Sequence, residues 1–429
     1  PPPPPPAPRA PAVEPSRVRT PDVVIVMVDT LRADHLSLYG YQKPTSPELA
    51  AFAAVATDYV RAYAQSSWTA PSVTSMITSR YPREVGVRRD AERLPGHTRT
   101  LAAVLREHGY RTEGVSTNLF ITRKYGHHVG FDRLLEVKPS QGAVPTSHLV
   151  TDLGLLAARE APPTRPLFMY LHYFDPHYDY VMHSGFRFGW FEPETGPDAS
   201  RFSFFDARMS ADLDERDMAR ARAHYDSEIG FTDYHVGRLL SGLRALARFD
   251  NAVIVVVADH GEEFLEHGAF GHAVTLYDEL VHVPLLIKAP FQNRGQRHQQ
   301  PVALLDVAPT ILDLAGLPPE PGHRGVSLRS PGPPRPIFLS TFRPTHKVAL
   351  VRNRFKAVLD RDDYNFDVFD LVADPYEQHS IARERPVMAA LMRFELERWD
   401  EGTFDGLQTV PVDLSGLQKQ RLRVLGYAQ

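Results

Sequence analysis

The sequence contains no cysteine among its 429 residues. This excludes disulfide bonds, thiolate metal sites and a cysteine nucleophile. It also lacks a long apolar run, because the longest one, Ala252–Ala258, is far shorter than the roughly 20 residues that a membrane-spanning helix needs. The formal net charge of -4 provides no basic surplus for a polyanion. We therefore expect no nucleic-acid partner.

The remaining composition is that of a globular protein, with 43% hydrophobic and 23% charged residues. A chain of this length exceeds one minimal domain. Residues 1–20 are rich in proline and poor in large apolar side chains, which predicts an extended, disordered linker. We assign residues 21–330 to a large α/β domain and residues 331–429 to a small C-terminal subdomain made of an antiparallel sheet and a helix.

The large domain begins with VVIVMV directly after Asp22, a β-branched run typical of a strand that is buried on both faces. Similar strands are predicted at Glu113–Ser116, Leu167–His172, Ala252–Ala258 and Val283–Lys288. Helical patterns such as Thr100–His108 separate them. This alternation predicts a doubly wound, mostly parallel α/β sheet, whose ligand site lies beyond the carboxyl ends of the strands.

The C-terminal subdomain follows a stretch rich in proline and glycine over Leu317–Pro336. Short strands are predicted at Ile337–Ser340, Lys347–Val351, Phe355–Leu359 and Phe366–Leu371. Helical spacing then runs from Pro386 to Trp399.

Polar residues follow two of the buried strands. Asp29 ends the first strand, where an aspartate either binds a metal or caps the next turn. Asp259 and His260 follow Ala252–Ala258 and offer a carboxylate oxygen and an imidazole nitrogen side by side. A capping aspartate beside a solvated histidine is the alternative, and the residues alone leave both interpretations open.

Several segments in chain order resemble the sulfatase-like branch of the alkaline phosphatase superfamily. They are VDTLRADHL at 28–36 with YGY at 39–41, SWTAPS at 67–72, YLHYFDPH at 170–177, ADHGEEFLEHGAFGHAVTLYDE at 258–279, HVPLLI at 282–287, and FDL at 369–371 with Asp374–Pro375. The resemblance extends over nearly all of the chain after the linker. It implies an alkaline phosphatase-like fold and an enzyme that cleaves or transfers esters.

The resemblance also implies roles for individual residues. The metal ligands would be Asp29, Thr69, Asp259 and His260, with Thr69 also in the place of the nucleophile. His172, His177 and His272 would be catalytic. At least one of His172 and His177 would face the substrate oxyanion or leaving group as donor or general acid, and His272 would contact the transferred group. From the sequence alone, His172 and His177 also fit structural loop histidines. His267 and Asn118 are the weaker candidates for substrate binding.

The chain departs from the sulfatase pattern at the nucleophile. Where sulfatases carry a residue that is oxidised to formylglycine, this chain has Thr69, and Val73 replaces the following arginine. No formylglycine can therefore form. The remaining ligands resemble the one-metal site of lipoteichoic acid synthase-like and phosphoethanolamine transferase-like enzymes. Carboxylate and imidazole donors favour one manganese or zinc ion over calcium or magnesium.

These departures favour a hydrolase or transferase of phosphate mono- or diesters, with a small-molecule or lipid-linked substrate. The alternatives are a sulfatase that works without formylglycine and an inactive binding protein with the sulfatase fold. The proline-rich start and the absence of cysteine favour export to the periplasm or cell surface, and are compatible with a membrane tether upstream of residue 1. No pattern in the sequence indicates the oligomeric state.

Overall fold

The computed structural model describes residues 19–137, 145–188, 201–202, 213–330, 332–402, 409–416 and 418–420. Of the predicted linker over residues 1–20, only Arg19 and Thr20 belong to this described part of the chain. None of the helices described is both long enough and apolar enough to span a bilayer.

An eight-stranded sheet forms the centre of the molecule. In chain order its strands are β1 (Asp22–Val28), β2 (Thr57–Tyr59), β3 (Arg111–Ser116), β4 (Arg133–Glu136), β5 (Leu167–Tyr173), β6 (Ala252–Ala258), β7 (Leu285–Lys288) and β8 (Gln296–His298). Their order in the sheet is β8-β2-β7-β6-β1-β5-β3-β4. Strands β6, β1, β5, β3 and β4 run parallel to one another. Strand β7 is antiparallel to both of its neighbours, β6 and β2.

Helices flank this sheet. In chain order they are α1 (Pro47–Ala53), α2 (Thr69–Thr78), α3 (Leu101–Glu107), α4 (Ser147–Glu160), α5 (Glu215–Ala245) and α6 (Val307–Leu314), with single turns at Pro82–Val85 and Asp278–Val281. Strands β1 and β6 are buried along their whole length, as their uninterrupted apolar runs predict. The predicted fold class, a doubly wound and mostly parallel α/β sheet with a small antiparallel sheet, is confirmed.

The predicted strand Val283–Lys288 is split in the structure. His282–Val283 pairs with Ala62–Tyr63 in a separate three-stranded sheet, and Leu285–Lys288 forms β7 of the central sheet. Pro284 lies at the break, and a proline has no N–H to donate to a strand ladder. The sequence pattern does not show this change of sheet because both pieces are apolar.

The C-terminal sheet is an antiparallel meander. It contains β9 (Ile337–Thr341), β10 (Lys347–Arg352), β11 (Phe355–Asp360) and β12 (Phe366–Asp370), and helix α7 (Pro386–Glu401) packs on one of its faces. Apolar residues of β9 and β10 share a second buried cluster with Leu276 and Leu280 of the large domain. In addition, the Ser340 N–H donates to Gln65 O at 3.0 Å. The small sheet therefore supports the segment that leads to Thr69.

Candidate active site

The register of the central strands brings the candidate residues together. Strand β1 pairs with β6 so that Val28 lies opposite Ala258, and the next residues, Asp29 and Asp259, leave the sheet side by side. Strand β5 pairs with the other edge of β1, which places His172 opposite Met27. The carboxyl ends of three neighbouring parallel strands therefore meet at one site, as expected for a doubly wound sheet.

Thr69 is the first residue of α2, and its hydroxyl lies inside this group. Its Oγ1 is 3.2 Å from His260 Nε2 and 3.5 Å from Asp29 Oδ1. Trp68, the residue before the helix, is extended, and no side chain of the described residues caps the helix start. The positive end of the helix dipole and its first free N–H groups therefore lie beside the hydroxyl, where they would stabilise negative charge.

Asn118 contacts the same atoms. Its side-chain oxygen accepts a hydrogen bond from the Phe120 N–H at 2.7 Å, which fixes the orientation of the amide. The amide nitrogen then donates to Asp29 Oδ2 at 2.6 Å and to Thr69 Oγ1 at 3.4 Å. Asn118 therefore lies in the centre of the site, although the sequence alone marks it as one of the weaker candidates.

The two aspartates at this site differ in acidity. Burial raises the pKa of Asp259 to about 6, and repulsion from Asp29 adds to the rise. Burial would also raise the pKa of Asp29, but the neighbouring His177, His172 and His260 outweigh it and hold the pKa at about 2. Two buried carboxylates next to each other are costly without a cation between them.

The donor atoms fit one small divalent metal ion. His260 Nε2 is 3.6 Å from Asp29 Oδ1 and 3.6 Å from Asp259 Oδ2, in addition to its 3.2 Å approach to Thr69. Ligands bound to zinc at about 2.0–2.2 Å in a tetrahedron lie about 3.3–3.6 Å apart. Asp259 Oδ2 is buried and has no hydrogen-bond partner among the described residues. A buried carboxylate oxygen that is unpaired beside these donors is suited to bind a cation.

His172 also belongs to this group. Its Nε2 is 3.2 Å from Asp29 Oδ2, and its ligand atom lies with those of Asp29 and Asp259 within 4.8 Å of one another. The Tyr170 hydroxyl lies 2.8 Å from His172 Nδ1 and so fixes the direction of the ring. His172 is therefore close enough to the carboxylates to be either a metal ligand or a donor to Asp29.

His177 and His272 lie together on the other side of His260. The His272 ring is 4.6 Å from that of His260 and 5.0 Å from that of His177, measured between ring centroids. Glu262, which is fully buried, holds His272 through a 2.7 Å contact between Oε1 and Nδ1. Burial lowers the pKa of His177 to about 4. Both rings therefore lie close to His260, whose Nε2 contacts Thr69.

His267 lies outside this group. Its ring stacks on Tyr277 at 3.5 Å, and its Nδ1 is 2.6 Å from Glu279 Oε1. A substrate-binding role for His267 stays a prediction, and none of these contacts supports it. The two histidines of the segment EHGAFGHA thus lie in different clusters: His272 lies beside His260, and His267 lies beside Glu279.

Sequence reasoning missed Tyr225 and Glu262 as parts of the site. Thr30 has a left-handed backbone with φ of 53°, which is strained for a β-branched residue, and its N–H donates to Asp259 Oδ1 at 3.3 Å. The Tyr225 hydroxyl, on α5, donates to Thr30 O at 2.5 Å and accepts from the Arg32 N–H at 2.9 Å. Tyr225 is 195 residues from Thr30, so only the fold shows the contact. Glu262 directly follows the ADHG motif in the sequence, and this position is the one sequence feature that could have marked it as part of the site.

Replacing Tyr225 with phenylalanine should weaken metal binding about tenfold, because the loop that orients Asp259 loses its support. It should also lower the free energy of unfolding by about 1–3 kcal/mol, since two buried backbone groups lose a partner. Metal titration and denaturant unfolding measure the two effects. Tyr173→Phe is the matched control, because it removes a buried hydroxyl that contacts Thr151 at 2.9 Å. Equal metal affinity in both variants would refute the positioning role of Tyr225.

A doubly wound sheet that brings two aspartates, a histidine and a helix-terminal threonine together at one edge defines the alkaline phosphatase-like class of metal-dependent hydrolases. Within that class the chain belongs to the sulfatase family, because the family model described as Sulfatase matches residues 21–317. The resemblance seen in the sequence is thereby confirmed at the level of the family. It makes the chain a sulfatase-family hydrolase.

Curated relatives match along most of their length. The chain is 25% identical to arylsulfatase K of Canis lupus familiaris over 431 residues, which covers 85% of this chain and 80% of that protein. It is 24% identical to the choline-sulfatase of Rhizobium meliloti (strain 1021) over 458 residues, which covers 90% of this chain and 88% of that protein.

Solved structures share the fold. A putative sulfatase from Bacteroides thetaiotaomicron has a TM-score of 0.75 at 19% identity, covering 91% of this chain and 95% of that one. The phosphonate monoester hydrolase of Agrobacterium radiobacter has a TM-score of 0.71 at 19% identity, covering 89% of this chain and 95% of that one. At these sequence identities the structural likeness establishes the fold alone. The chemistry has to be inferred from the residues of the site.

Proposed function

We propose that this protein hydrolyses or transfers phosphate mono- or diesters through a covalent intermediate on Thr69. The observation that carries the proposal is the position of the Thr69 hydroxyl. It lies at the positive end of α2, 3.2 Å from His260 and within reach of Asp29 and Asn118. A hydroxyl held among these groups is an activated nucleophile.

A manganese or zinc ion held by Asp29, Thr69, Asp259 and His260 would lower the pKa of the threonine hydroxyl and polarise the ester. The histidine is prepared for this role. His260 Nδ1 lies 2.8 Å from Gly261 O and donates to it, which leaves the lone pair of Nε2 facing Thr69 and the two carboxylates. Asn118 donates to both Asp29 and Thr69 and so stabilises negative charge on the nucleophile.

In the proposed reaction the Thr69 hydroxyl first gives up its proton to solvent, Oγ1 attacks phosphorus, and the bond from phosphorus to the leaving oxygen breaks. The leaving oxygen takes a proton from His272, which Glu262 holds in place, with His177 beside it. Water or a second alcohol then attacks the phospho-threonine, gives its proton to His272, and breaks the bond from phosphorus to Thr69 Oγ1. Water gives a hydrolase and an alcohol gives a transferase.

The chemistry of the nucleophile favours phosphorus. The hydrated aldehyde of formylglycine can release bound sulfate by breaking a carbon–oxygen bond. A threonine ester has no such route, so it must be released by attack at the central atom, and phosphorus accepts that attack better than sulfate sulfur. Thr69 and the absence of cysteine leave this chain without the aldehyde.

Sulfate esters are the second candidate class. The relatives named arylsulfatase K and choline-sulfatase favour it, whereas the structural neighbour named phosphonate monoester hydrolase favours attack at phosphorus. Under the sulfate alternative the same ligands would bind the metal, and Thr69 would carry a sulfuryl group.

A small panel of esters separates the two classes. The purified protein, loaded with manganese or zinc, is assayed against an aryl phosphate, a bis-aryl phosphate and an aryl sulfate. We expect kcat/KM for one of the phosphorus esters to exceed that for the aryl sulfate by about 100-fold, a difference of about 2.7 kcal/mol in barrier. Faster turnover of the aryl sulfate would reverse the assignment. If the wild type turns over none of these esters at a rate that Thr69→Ala abolishes, the result would favour a binding protein.

We also propose that the protein acts outside the cytoplasm, in the periplasm or at the cell surface, on a small-molecule or lipid-linked ester. The proline-rich residues 1–20 and the absence of cysteine support this proposal. Fractionation of cells that express the gene in full tests it, and recovery of the protein in the cytoplasm would contradict it.

A further inference from the structure

A second cluster of metal-ligating side chains lies away from Thr69, and it includes the histidine that the proposed reaction does not use. Glu263, His267 and Glu279 each offer one ligand atom, and the three atoms lie within 4.8 Å of one another. Glu263 is fully buried, and His267 and Glu279 are largely buried. None of the three belongs to the group around Thr69.

The histidine of this cluster is held as a metal ligand would be. His267 Nδ1 faces Glu279 Oε1 at 2.6 Å, while Nε2, on the other side of the ring, lies 3.3 Å from Glu377 O and 3.2 Å from the side-chain amide nitrogen of Gln378. The ring is clamped on Tyr277, at 3.5 Å and 10° from parallel. Ligating histidines commonly donate their second N–H to a carboxylate or a backbone carbonyl, which fixes the ring and leaves the first nitrogen free for the metal.

The buried charge around the cluster is unbalanced. Asp278, next to Glu279 in the chain, and Glu377 form a second pair of acids, which Lys356 bridges at 2.8 and 3.0 Å. Among the described residues, Lys356 therefore pairs with these two acids and forms no ion pair with Glu263 or Glu279. Burial and repulsion from Glu279 raise the pKa of Glu263 to about 7.

Among the described residues, the other cation near the cluster does not correct the imbalance. Arg32 interacts with Glu279, but it already pairs with Asp34 at 2.7 Å and with Glu266 at 2.8 Å. With Glu263 and Glu279 both ionised, a protonated His267 leaves one buried negative charge unbalanced. One divalent cation held between the three ligand atoms would balance both carboxylates, as buried charges are normally paired or coordinate a metal.

We propose that Glu263, His267 and Glu279 bind a second divalent metal ion, of the zinc or manganese class. One imidazole nitrogen with two carboxylates favours these ions over calcium, which prefers oxygen ligands alone. The ion displaces the proton between His267 and Glu279. It would tie together Glu263, His267 and Glu279 in the segment that also carries His272, so its role is to hold this segment in place.

Metal content tests the proposal without any assay of activity. The purified protein is stripped with a chelator, reloaded with zinc, freed of excess zinc and analysed by mass spectrometry of the metal. We expect about two zinc ions per chain in the wild type and about one in Asp259→Asn, which retains only the second site. Glu279→Gln should hold about one, and the double variant that combines both substitutions about none. Glu266→Gln, on the same loop but paired with Arg32, is the control and should hold about two.

Two results would overturn the proposal. One is about one zinc ion in the wild type together with none in Asp259→Asn. The other is a double variant that binds as much zinc as Asp259→Asn. If Glu279→Gln fails to fold, Glu263→Gln replaces it, and zinc-dependent unfolding of Asp259→Asn gives a separate measurement: zinc should raise its melting temperature. None of these outcomes depends on the role of Thr69.

Discussion

Thr69→Ala should lower kcat/KM by about 10⁴-fold or more, because the side chain that forms the covalent intermediate is gone. Thr69→Ser is the matched variant, since it keeps the hydroxyl at the start of α2 and loses only a methyl group. We expect Thr69→Ser to retain most of the activity and Thr69→Ala to retain the metal ligands Asp29, Asp259 and His260. Steady-state kinetics on the best ester of the panel measures the ratio.

The intermediate itself provides the second readout. Rapid acid quenching during turnover, followed by peptide mass spectrometry, should find one phosphoryl group on Thr69 in the wild type and none in the alanine variant. Thr69→Ala turning over within about tenfold of the wild type would rule out covalent catalysis at this position. A sulfuryl group on the same peptide would support Thr69 as the nucleophile but would show that the substrate is a sulfate ester.

Asp259→Asn should produce opposite effects on activity and on the stability of the metal-free protein. The amide cannot supply the negative charge that the metal needs, so we expect the first ion to be lost and kcat/KM to fall by about 10³-fold or more. Without metal the variant should be more stable than the wild type, by on the order of 3 kcal/mol near pH 7. The introduced amide would keep an oxygen that accepts from the N–H groups of Thr30 and His260, so the fold loses a buried charge, with its repulsion from Asp29, and little else.

The sign follows from the pKa of Asp259, which rises from 3.8 to about 6 on folding, because of burial first and then Asp29. A carboxyl that is less acidic in the folded protein destabilises the fold increasingly as pH rises from about 4 to about 6. The advantage of Asp259→Asn should therefore be absent near pH 4 and complete above pH 6. Denaturant unfolding in chelator across this range measures it. A variant that is less stable at every pH would mean that burial and Asp29 together do not destabilise the charged form of Asp259.

The sequence is sufficient for those parts of the site that follow buried strands. Runs such as VVIVMV and AVIVVVA determine both the strands and their ends, so the amino-acid pattern alone places Asp29, Asp259 and His260 at one sheet edge. The parallel register of β1 and β6 then makes Asp29 and Asp259 neighbours. The fold class is predictable for the same reason. Strands that are buried on both faces are apolar without alternation, and the helical patterns between them indicate a parallel α/β sheet.

Contacts that depend on packing could not be predicted. Tyr225 lies in the middle of a 31-residue helix and supports Thr30 across the fold, without any local pattern that marks it. Asn118 depends on the turn after β3, which directs its amide to Asp29 and Thr69. His267 and His272 are close in the chain, and only the turn between them decides that they face different clusters. Side-chain direction in glycine-containing loops is set by the backbone conformation, which sequence spacing does not report.

The hydrogen bonds between β9 and the large domain bear on how this chain can be divided. Ser340 donates to Gln65, shortly before Thr69, and the Thr341 hydroxyl donates to Ala273 O at 2.7 Å, directly after His272. The C-terminal sheet is thus part of the scaffold of the catalytic centre, even though a stretch rich in proline and glycine separates it along the chain. The two units should unfold in one cooperative step, and exchanging the C-terminal unit with that of a relative would change the active site as well.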